Sequence, residues 1–232
     1  MNNIFLRYAY WRFFNPIIAC PTCSIPTLSL ICNHCYLELE IIPESQCKYC
    51  AKPTAEPAIT CPDCAINLPH FDKVYAKFSY ANPLNKILQQ FKYQQNLNRT
   101  WMLGFLLHKT LELASSEIDY IIPIPLSTER LKQRGFNQVE LMLNYHKTRF
   151  NSFKIRTDIA KKIIDTPHMS LATRENRNHS TNPFAVRKNL NGHNILIVDD
   201  VITTGTTANH LAHSLKSAGA NRIEICTLMR TL

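Results

Sequence analysis

Two aspartates and a run of threonines stand side by side in the stretch NILIVDDVITTGTT, residues 194–207. The apolar residues before them predict a buried strand that ends at Asp199 and Asp200. Residues 203–207 then form the predicted turn into a helix. Such a turn presents backbone N–H groups, hydroxyls and the positive end of a helix dipole, and these groups together bind an anion such as a phosphate.

The two carboxylates are unfavourable neighbours for a bound phosphate unless one ligand carries groups for both. A ribose 5-phosphate does so, because it has a phosphate at one end and a 2′,3′-diol at the other. Each sugar hydroxyl that donates to an ionised carboxylate contributes about 1.5–3 kcal/mol. A helix cap with an ordinary polar turn would explain one acidic or hydroxyl residue, but not the whole set. The stretch therefore predicts a phosphorylated sugar ligand.

Eight of the nine cysteines occur as four C-x-x-C pairs, CPTC, CNHC, CKYC and CPDC. Two such pairs supply the four thiolates of a tetrahedral zinc site, and without a secretory signal pattern a disulfide framework is disfavoured. Pairing neighbours in the sequence gives two structural zinc sites, although an interleaved arrangement fits the same spacing. The predicted ligands are Cys20, Cys23, Cys32 and Cys35 for the first ion, and Cys47, Cys50, Cys61 and Cys64 for the second.

From about residue 72 the hydrophobic pattern changes to alternating strands and helices, which predicts a parallel sheet covered on both faces. Ligands of such sheets bind at the carboxyl ends of the strands. The predicted strands are 73–80, 119–125, 194–200 and 221–229, and the predicted helices are 82–93, 100–114, 127–147 and 207–219. The predicted organisation is an N-terminal amphipathic segment (1–18), a double zinc-ribbon module with two four-cysteine sites (19–68) and an α/β domain (69–232).

The formal net charge of +9 is concentrated in one segment, because residues 130–188 contain 13 lysines and arginines against 4 acidic residues. This concentration favours a polyanionic partner such as nucleic acid, and a solvated basic face is the alternative. No apolar run approaches the roughly 20 residues of a membrane span. The candidate nucleic-acid contacts are Arg130, Lys132, Arg134, Lys161, Lys162, Arg174 and Arg177.

The stretch ILIVDDVITTGTT resembles the phosphoribosyl-pyrophosphate (PRPP) motif of type I phosphoribosyltransferases. Together with the C-x-x-C pairs and PIPLSTERLKQRGFNQ at 123–138, it resembles the ComF family of competence proteins over nearly the whole chain. The resemblance implies a type I phosphoribosyltransferase-like fold, in which a mostly parallel, twisted sheet is flanked by helices and preceded by a small zinc-ribbon module. It implies that Asp199 and Asp200 hold the ribose hydroxyls, that Thr203, Thr204, Gly205, Thr206 and Thr207 hold the 5-phosphate, and that Pro125, Leu126, Ser127 and Arg134 face a pyrophosphate bridged by Mg²⁺.

The same resemblance implies a cytoplasmic competence factor that handles incoming single-stranded DNA during natural transformation. Its implied partners are PRPP, single-stranded DNA and competence-machinery proteins such as a DNA-translocating helicase. Two alternatives remain open, a nucleotide-salvage phosphoribosyltransferase and a non-catalytic regulator that senses PRPP. The residues identify no general base, so catalytic residues and turnover stay unassigned.

Overall fold

The computed structural model describes residues 17–57, 59–93, 99–115, 117–149, 154–164 and 182–232. The predicted N-terminal segment 1–18 lies almost wholly outside these residues, as do Arg174 and Arg177. The described helices are α1 (Asn33–Leu37), α2 (Pro62–Ile66), α3 (Leu84–Tyr93), α4 (Thr100–Leu111), α5 (Thr128–Arg134), α6 (Gln138–Arg149) and α7 (Thr206–Ser217). The described strands are β1 (Ile18–Ala19), β2 (Pro26–Thr27), β3 (Lys73–Ser79), β4 (Tyr120–Pro123), β5 (Lys154–Ile155), β6 (Ala160–Lys162), β7 (Phe184–Val186), β8 (Asn194–Ile202) and β9 (Arg222–Arg230).

Five parallel strands form the central sheet in the order β3-β9-β8-β4-β5. Strand β8 is apolar on both faces, since Ile195 and Ile197 pack into one hydrophobic cluster while Leu196 and Val198 pack into the other. A continuous apolar run is the pattern expected of a strand covered on both sides. The sequence prediction of a parallel sheet covered on both faces is therefore confirmed.

Helices cover the two faces of the sheet unequally. Helices α3, α4 and α6 contribute to one cluster, and α7 packs on the opposite face together with residues of the antiparallel β6–β7 pair. In α3 the buried side chains recur at helical spacing, at Leu84, Ile87, Leu88 and Phe91. This packing fixes the direction of α3, so that its last turn reaches the carboxyl edge of the sheet.

The prediction of one helix over 127–147 is wrong, because two helices, α5 and α6, occupy this stretch. Gly135 ends α5 in the left-handed conformation (φ 78°), and its N–H donates to Leu131 O at 2.8 Å. Asn137 then starts α6, since its side chain accepts from Val139 N at 3.0 Å and donates to Ile124 O at 3.0 Å. The second bond ties the start of α6 to the end of β4.

The cysteine-rich part packs on the sheet, although Cys47, Cys61 and Cys64 also form a small cluster of their own. Cys20 and Cys35 belong to the same cluster as Phe78 of β3, and Ala51 belongs to the cluster on the other face. Ile41 also pairs antiparallel with Phe78 at the edge of the sheet. The boundary predicted at residue 68 stays a prediction, but the part before it shares apolar packing with the sheet.

Candidate functional site

A cleft of about 380 Å³ opens where β4 and β8 end and α7 begins. Small-molecule sites commonly have volumes of about 300–1,000 Å³. The position of the cleft agrees with the rule that open parallel sheets bind ligands at the carboxyl ends of their strands. The lining includes Asp199, Asp200, the whole of 203–207 and the turn after β4, together with Lys92, Arg130, Arg134, Gln138, Lys162 and His210.

Asp200 is buried beneath the cleft and has two side-chain partners from different helices. Lys92, in the last turn of α3, places its Nζ 2.8 Å from Oδ2. Gln138, the first residue of α6, donates its Nε2 to Oδ2 at 2.7 Å. Lys92 and Asp200 therefore form a largely buried ion pair before any ligand arrives.

Asp199 stands next to this pair and is partly exposed to the cleft. Burial and the neighbouring charge of Asp200 raise the pKa of Asp199 to about 7, although the backbone N–H of Asp200 donates to it at 2.8 Å. A carboxyl group with this pKa exchanges its proton near neutral pH. A bound cation or hydroxyl donors would favour its ionised form.

The threonine-rich loop begins after Ile202 and ends in the first turn of α7. Gly205 precedes the helix with φ 79°, a left-handed conformation that favours glycine. The hydroxyl oxygens of Thr204 and Thr206 lie 2.8 Å apart. The four threonine side chains of the loop are exposed, so hydroxyls and a helix N-terminus face the same cleft.

The loop after β4 forms the opposite wall of the cleft. Pro125, Leu126 and Ser127 all line it, and the hydroxyl of Ser127 caps α5 by accepting from Arg130 N at 3.3 Å. The Ser127 hydroxyl therefore already has a role in the fold. Its backbone and the N-terminus of α5 remain beside the cleft.

Arg134 is held at this wall by two side chains. Its Nη1 donates to Gln138 Oε1 at 3.1 Å, and its guanidinium lies 5.3 Å from the ring centroid of Tyr93. Since Gln138 also donates to Asp200, a chain of contacts runs from Arg134 to the buried ion pair. Arg134 is therefore part of the cleft lining, beside the turn after β4.

The eight paired cysteines form two groups of four in the sequential arrangement, Cys20/Cys23/Cys32/Cys35 and Cys47/Cys50/Cys61/Cys64. The Sγ atoms of each group all lie within 4.8 Å of one another. Sγ–Sγ distances of 3.7 Å (Cys23–Cys32) and 3.6 Å (Cys50–Cys61) approach the roughly 3.8 Å that a tetrahedron with Zn–S bonds of about 2.3 Å requires. Both groups therefore fit a structural zinc ion, with every coordination position filled by sulfur.

The backbone around each group favours thiolates, the form of cysteine that binds metal. Burial acts to raise the pKa of Cys20, but backbone N–H donors, first that of Cys32, outweigh it and lower this pKa to about 6. The pKa of Cys47 is lowered to about 6 in the same way, with the N–H of Cys61 as the first donor. Backbone N–H groups that donate to the sulfur atoms stabilise the thiolates, and a structural metal site needs such stabilisation.

The two groups repeat one local structure. In each, the second cysteine is followed by a residue with positive φ, Ser24 (64°) or Ala51 (56°). In each, the third cysteine is the N-cap of a five-residue helix, α1 or α2. The strand pair β1–β2 corresponds to the bridge between Gln46 and Pro53. The cysteine-rich part is therefore an internal duplication, which the sequence shows only in its C-x-x-C pairs.

Comparison with known proteins gives a family model for the C-terminal part of the chain and relatives that cover most of its length. Residues 150–232 match a family model described as Phosphoribosyl transferase domain. The chain is 29% identical over 214 residues to Competence protein F of Haemophilus influenzae, covering 86% of this chain and 90% of that protein. It is 28% identical over 210 residues to Competence protein ComFC of Streptococcus pneumoniae, covering 87% and 88% of the two chains. The chain is therefore similar to ComF-type competence proteins over most of its length.

A third relative is DNA utilization protein YhgH of Salmonella typhimurium, 28% identical over 194 residues, with 81% of this chain and 85% of that protein covered. The five-stranded parallel sheet, the matched domain and the two N-terminal four-cysteine groups together give a type I phosphoribosyltransferase-like fold preceded by a zinc-ribbon type module. No helix among the described residues is both long and apolar enough to cross a membrane.

The basic residues predicted as nucleic-acid contacts separate into two sets. Arg130, Arg134 and Lys162 line the cleft, whereas Lys132 and Lys161 are exposed outside its lining. Nucleic-acid contact by any of them stays a prediction. The remaining two candidates, Arg174 and Arg177, lie outside the described residues.

Four residues at or beside the site were missed by the sequence reasoning: Lys92, Gln138, His210 and Arg230. Lys92 and Gln138 reach Asp200 from elements 108 and 62 residues away in sequence. The string RGFNQ contains Gln138, but it supported only the family resemblance and gave no role to this residue. Arg230 ends β9, which also contains Arg222 and Glu224, so no local signal in the sequence distinguishes it.

Proposed function

We propose that this chain binds PRPP in the cleft at the carboxyl ends of β4 and β8. One observation carries the proposal, namely that an acidic pair and the N-terminus of α7 face a single cleft of about 380 Å³. The likeness of residues 150–232 to a phosphoribosyl transferase domain supports the same ligand. In this assignment Asp199 and Asp200 accept from the ribose hydroxyls, and residues 203–207 donate to the 5-phosphate.

The pyrophosphate end of PRPP would face the wall formed by 125–127. Arg130 and Arg134 supply positive charge there, and Arg134 is already oriented by Gln138. Mg²⁺ would neutralise the pyrophosphate oxygens, since it binds through carboxylates and phosphates and keeps several waters. Asp199 is the accessible carboxylate of the cleft that could share such an ion, because Asp200 is engaged by Lys92.

The cellular role that we propose is handling of single-stranded DNA in the cytoplasm during natural transformation. Its support is the names of the relatives, which refer to competence and to DNA utilization, and the basic residues at the cleft and beside it. Phosphate contacts by lysine and arginine supply most sequence-independent affinity for nucleic acid. As a partner for this role we propose a protein of the competence machinery such as a DNA-translocating helicase.

Ligand-dependent unfolding tests the PRPP assignment. Binding to the folded state raises Tm, and a ligand at 100 times its Kd adds about 2.7 kcal/mol. We expect PRPP with Mg²⁺ to raise Tm more than ribose 5-phosphate or pyrophosphate alone, because only PRPP contacts both walls of the cleft. Equal Tm shifts for PRPP and pyrophosphate would contradict a site that binds the sugar phosphate.

Salt-dependent binding of a fluorescent oligonucleotide tests the DNA role. The affinity should fall linearly on a log–log plot against salt, and Arg130→Gln should lower the slope by about 1 if Arg130 contacts one phosphate. Lys48→Gln, which removes an exposed charge from the cysteine-rich part, is the matched control. An affinity independent of salt would remove the DNA role.

Mass spectrometry separates a transferase from a binding protein. Incubation of the purified chain with PRPP, Mg²⁺ and nucleobases would yield a ribosyl 5-phosphate product if the chain is a salvage enzyme. PRPP binding without any product would favour the DNA-handling role or a PRPP-sensing regulator.

A further inference from the structure

Arg230 connects the second four-cysteine group to the threonine-rich loop. It is the last residue of β9, is only 3% exposed, and pairs in the sheet with Ile202 of β8. Its Nη1 donates to the backbone oxygen of Thr203 at 3.0 Å, and its Nη2 lies 3.6 Å from the Sγ of Cys50. One buried guanidinium therefore contacts both the first residue of the loop and a sulfur of the cysteine group.

Two further contacts join the same parts of the molecule. The residues that follow the second four-cysteine group include His70, whose backbone N–H donates to Asn209 Oδ1 in α7 at 2.7 Å. The next residue, Phe71, is buried beside Gly205, since a Cβ on that glycine would lie 3.9 Å from Phe71 Cζ. The loop is thus supported from the cysteine-rich side at its start, at its glycine and in the helix after it.

We propose that Arg230 is a positioning residue through which the metal-loaded Cys47–Cys64 group sets the geometry of the loop 203–207 and hence its affinity for a sugar phosphate. The affinity part of this proposal rests on the proposed PRPP site. Arg230 touches a prospective metal ligand and a loop carbonyl, so it acts on the bound phosphate through the loop backbone.

The chemistry of the guanidinium explains why an arginine suits this position. A zinc ion with four thiolates leaves the group with a net negative charge, which a buried cation stabilises by a charge-assisted contact to sulfur. A guanidinium can donate to two acceptors in fixed directions, whereas the ammonium of lysine is a point charge on a flexible stem. Movement of Cys50 on loss of the metal would therefore release one end of Arg230 and, with it, the carbonyl of Thr203.

The first four-cysteine group gives an internal comparison. Cys23 occupies the position in the duplication that corresponds to Cys50, and its side chain is exposed. Among the described residues no arginine contacts Cys23. The coupling to the loop 203–207 should therefore involve only the second four-cysteine group. Only the zinc ion of that group should be released faster when Arg230 is changed.

Zinc release and hydrogen exchange test the proposal on the full-length, zinc-loaded chain. The variants are Arg230→Lys, which retains the charge, and Arg222→Lys as the matched control at the other end of β9, where Arg222 pairs with Glu224. We expect Arg230→Lys to release one of two zinc equivalents to a chelator about tenfold faster than the wild type, and to weaken PRPP binding about tenfold. Amide exchange of residues 203–209 should accelerate in the same variant and remain unchanged in Arg222→Lys.

The readouts keep this inference separate from the proposed function. If the wild type binds no PRPP, the proposed function fails, but zinc release and exchange at 203–209 still decide the coupling. If Arg230→Lys does not fold, the wild type supplies the test, since removal of the second zinc equivalent should accelerate exchange at 203–209. The proposal is overturned if exchange of this segment does not change with the metal content of the second group, or if Arg230→Lys releases both ions at the wild-type rate.

Discussion

Lys92 of α3 and Asp200 of β8 form an ion pair at 2.8 Å beneath the cleft, and both side chains are largely buried. Gln138 of α6 completes the contact with the same carboxylate at 2.7 Å. Three elements therefore converge on one acid, whose orientation is set by the fold. The adjacent Asp199 remains the more accessible acid of the pair.

Removal of Lys92 should destabilise the fold. Lys92→Met leaves the buried carboxylate of Asp200 with Gln138 as its remaining side-chain partner, and breaking a buried ion pair by removing one partner costs about 3–5 kcal/mol. We expect the free energy of unfolding in urea to fall by an amount of this order. The double variant Lys92→Met/Asp200→Asn should recover much of the loss, because it leaves no unpaired charge. Additive effects of the two substitutions would contradict a coupled pair.

Because of Asp199, the stability of the chain should depend on pH between the ordinary pKa of the residue, 3.8, and its pKa in the folded chain, about 7. The pKa of Asp199 is raised from 3.8 to about 7 by burial and by Asp200, so the folded chain holds a proton that the unfolded chain has lost between these values. The stability contributed by this group is therefore greatest at low pH and declines as pH rises towards 7. We expect Asp199→Asn to stabilise the chain by about 1–2 kcal/mol at pH 8 and by much less at pH 4.5.

Urea unfolding of the wild type and the Asp199→Asn variant at the two pH values measures this difference. Asp119→Asn, at the other end of the sheet, is the control for loss of an exposed carboxylate. An equal effect of Asp199→Asn at both pH values would mean that the pKa of Asp199 is not raised.

Gly205 offers a test of loop geometry with an internal control. Gly205→Ala places a side chain at φ 79°, and no heavy atom lies closer to the new Cβ than Phe71 Cζ at 3.9 Å. The cost is therefore backbone strain, about 1 kcal/mol. Gly192→Ala imposes similar strain at φ 77° in open space, away from the cleft lining. Thermal unfolding should show similar losses of stability for the two variants, whereas PRPP binding should be weaker only for Gly205→Ala. Equal losses of PRPP binding in both variants would show that the geometry of the loop 203–207 does not determine binding.

Metal removal should destabilise the whole chain. Cys20 and Cys35 share a hydrophobic cluster with Phe78 of the sheet, and Ala51 packs into the cluster on the other face. We expect chelation to lower Tm by about 8–16 °C in one transition, because a loss of about 4 kcal/mol is expected and each kcal/mol lowers Tm by about 2–4 °C. Elemental analysis should give two zinc ions per chain beforehand. A separate low-temperature transition that leaves the sheet unchanged would show an independent module instead.

The strand that carries the two aspartates was predictable because an uninterrupted apolar run, paired acids and a threonine-rich turn each have a local signature, although β8 continues past the predicted end at residue 200 to Ile202. The C-x-x-C pairs are local in the same sense, although only the structure distinguishes the sequential from the interleaved arrangement. The partners of Asp200 have no local signature, since Lys92 lies on a helix 108 residues earlier. The break at Gly135 was missed because the helical spacing of Phe136, Val139 and Leu143 begins only after it and so does not show where the first helix ends.

Calorimetric titration of PRPP with Mg²⁺ into the wild type and into the Asp199→Ala/Asp200→Ala variant tests the central assignment most directly. We expect one binding event per wild-type chain and no measurable binding to a variant whose circular dichroism shows that it is folded. Wild-type affinity in that folded variant, or no heat from the wild type itself, would contradict the assignment of the acidic pair to a sugar-phosphate site.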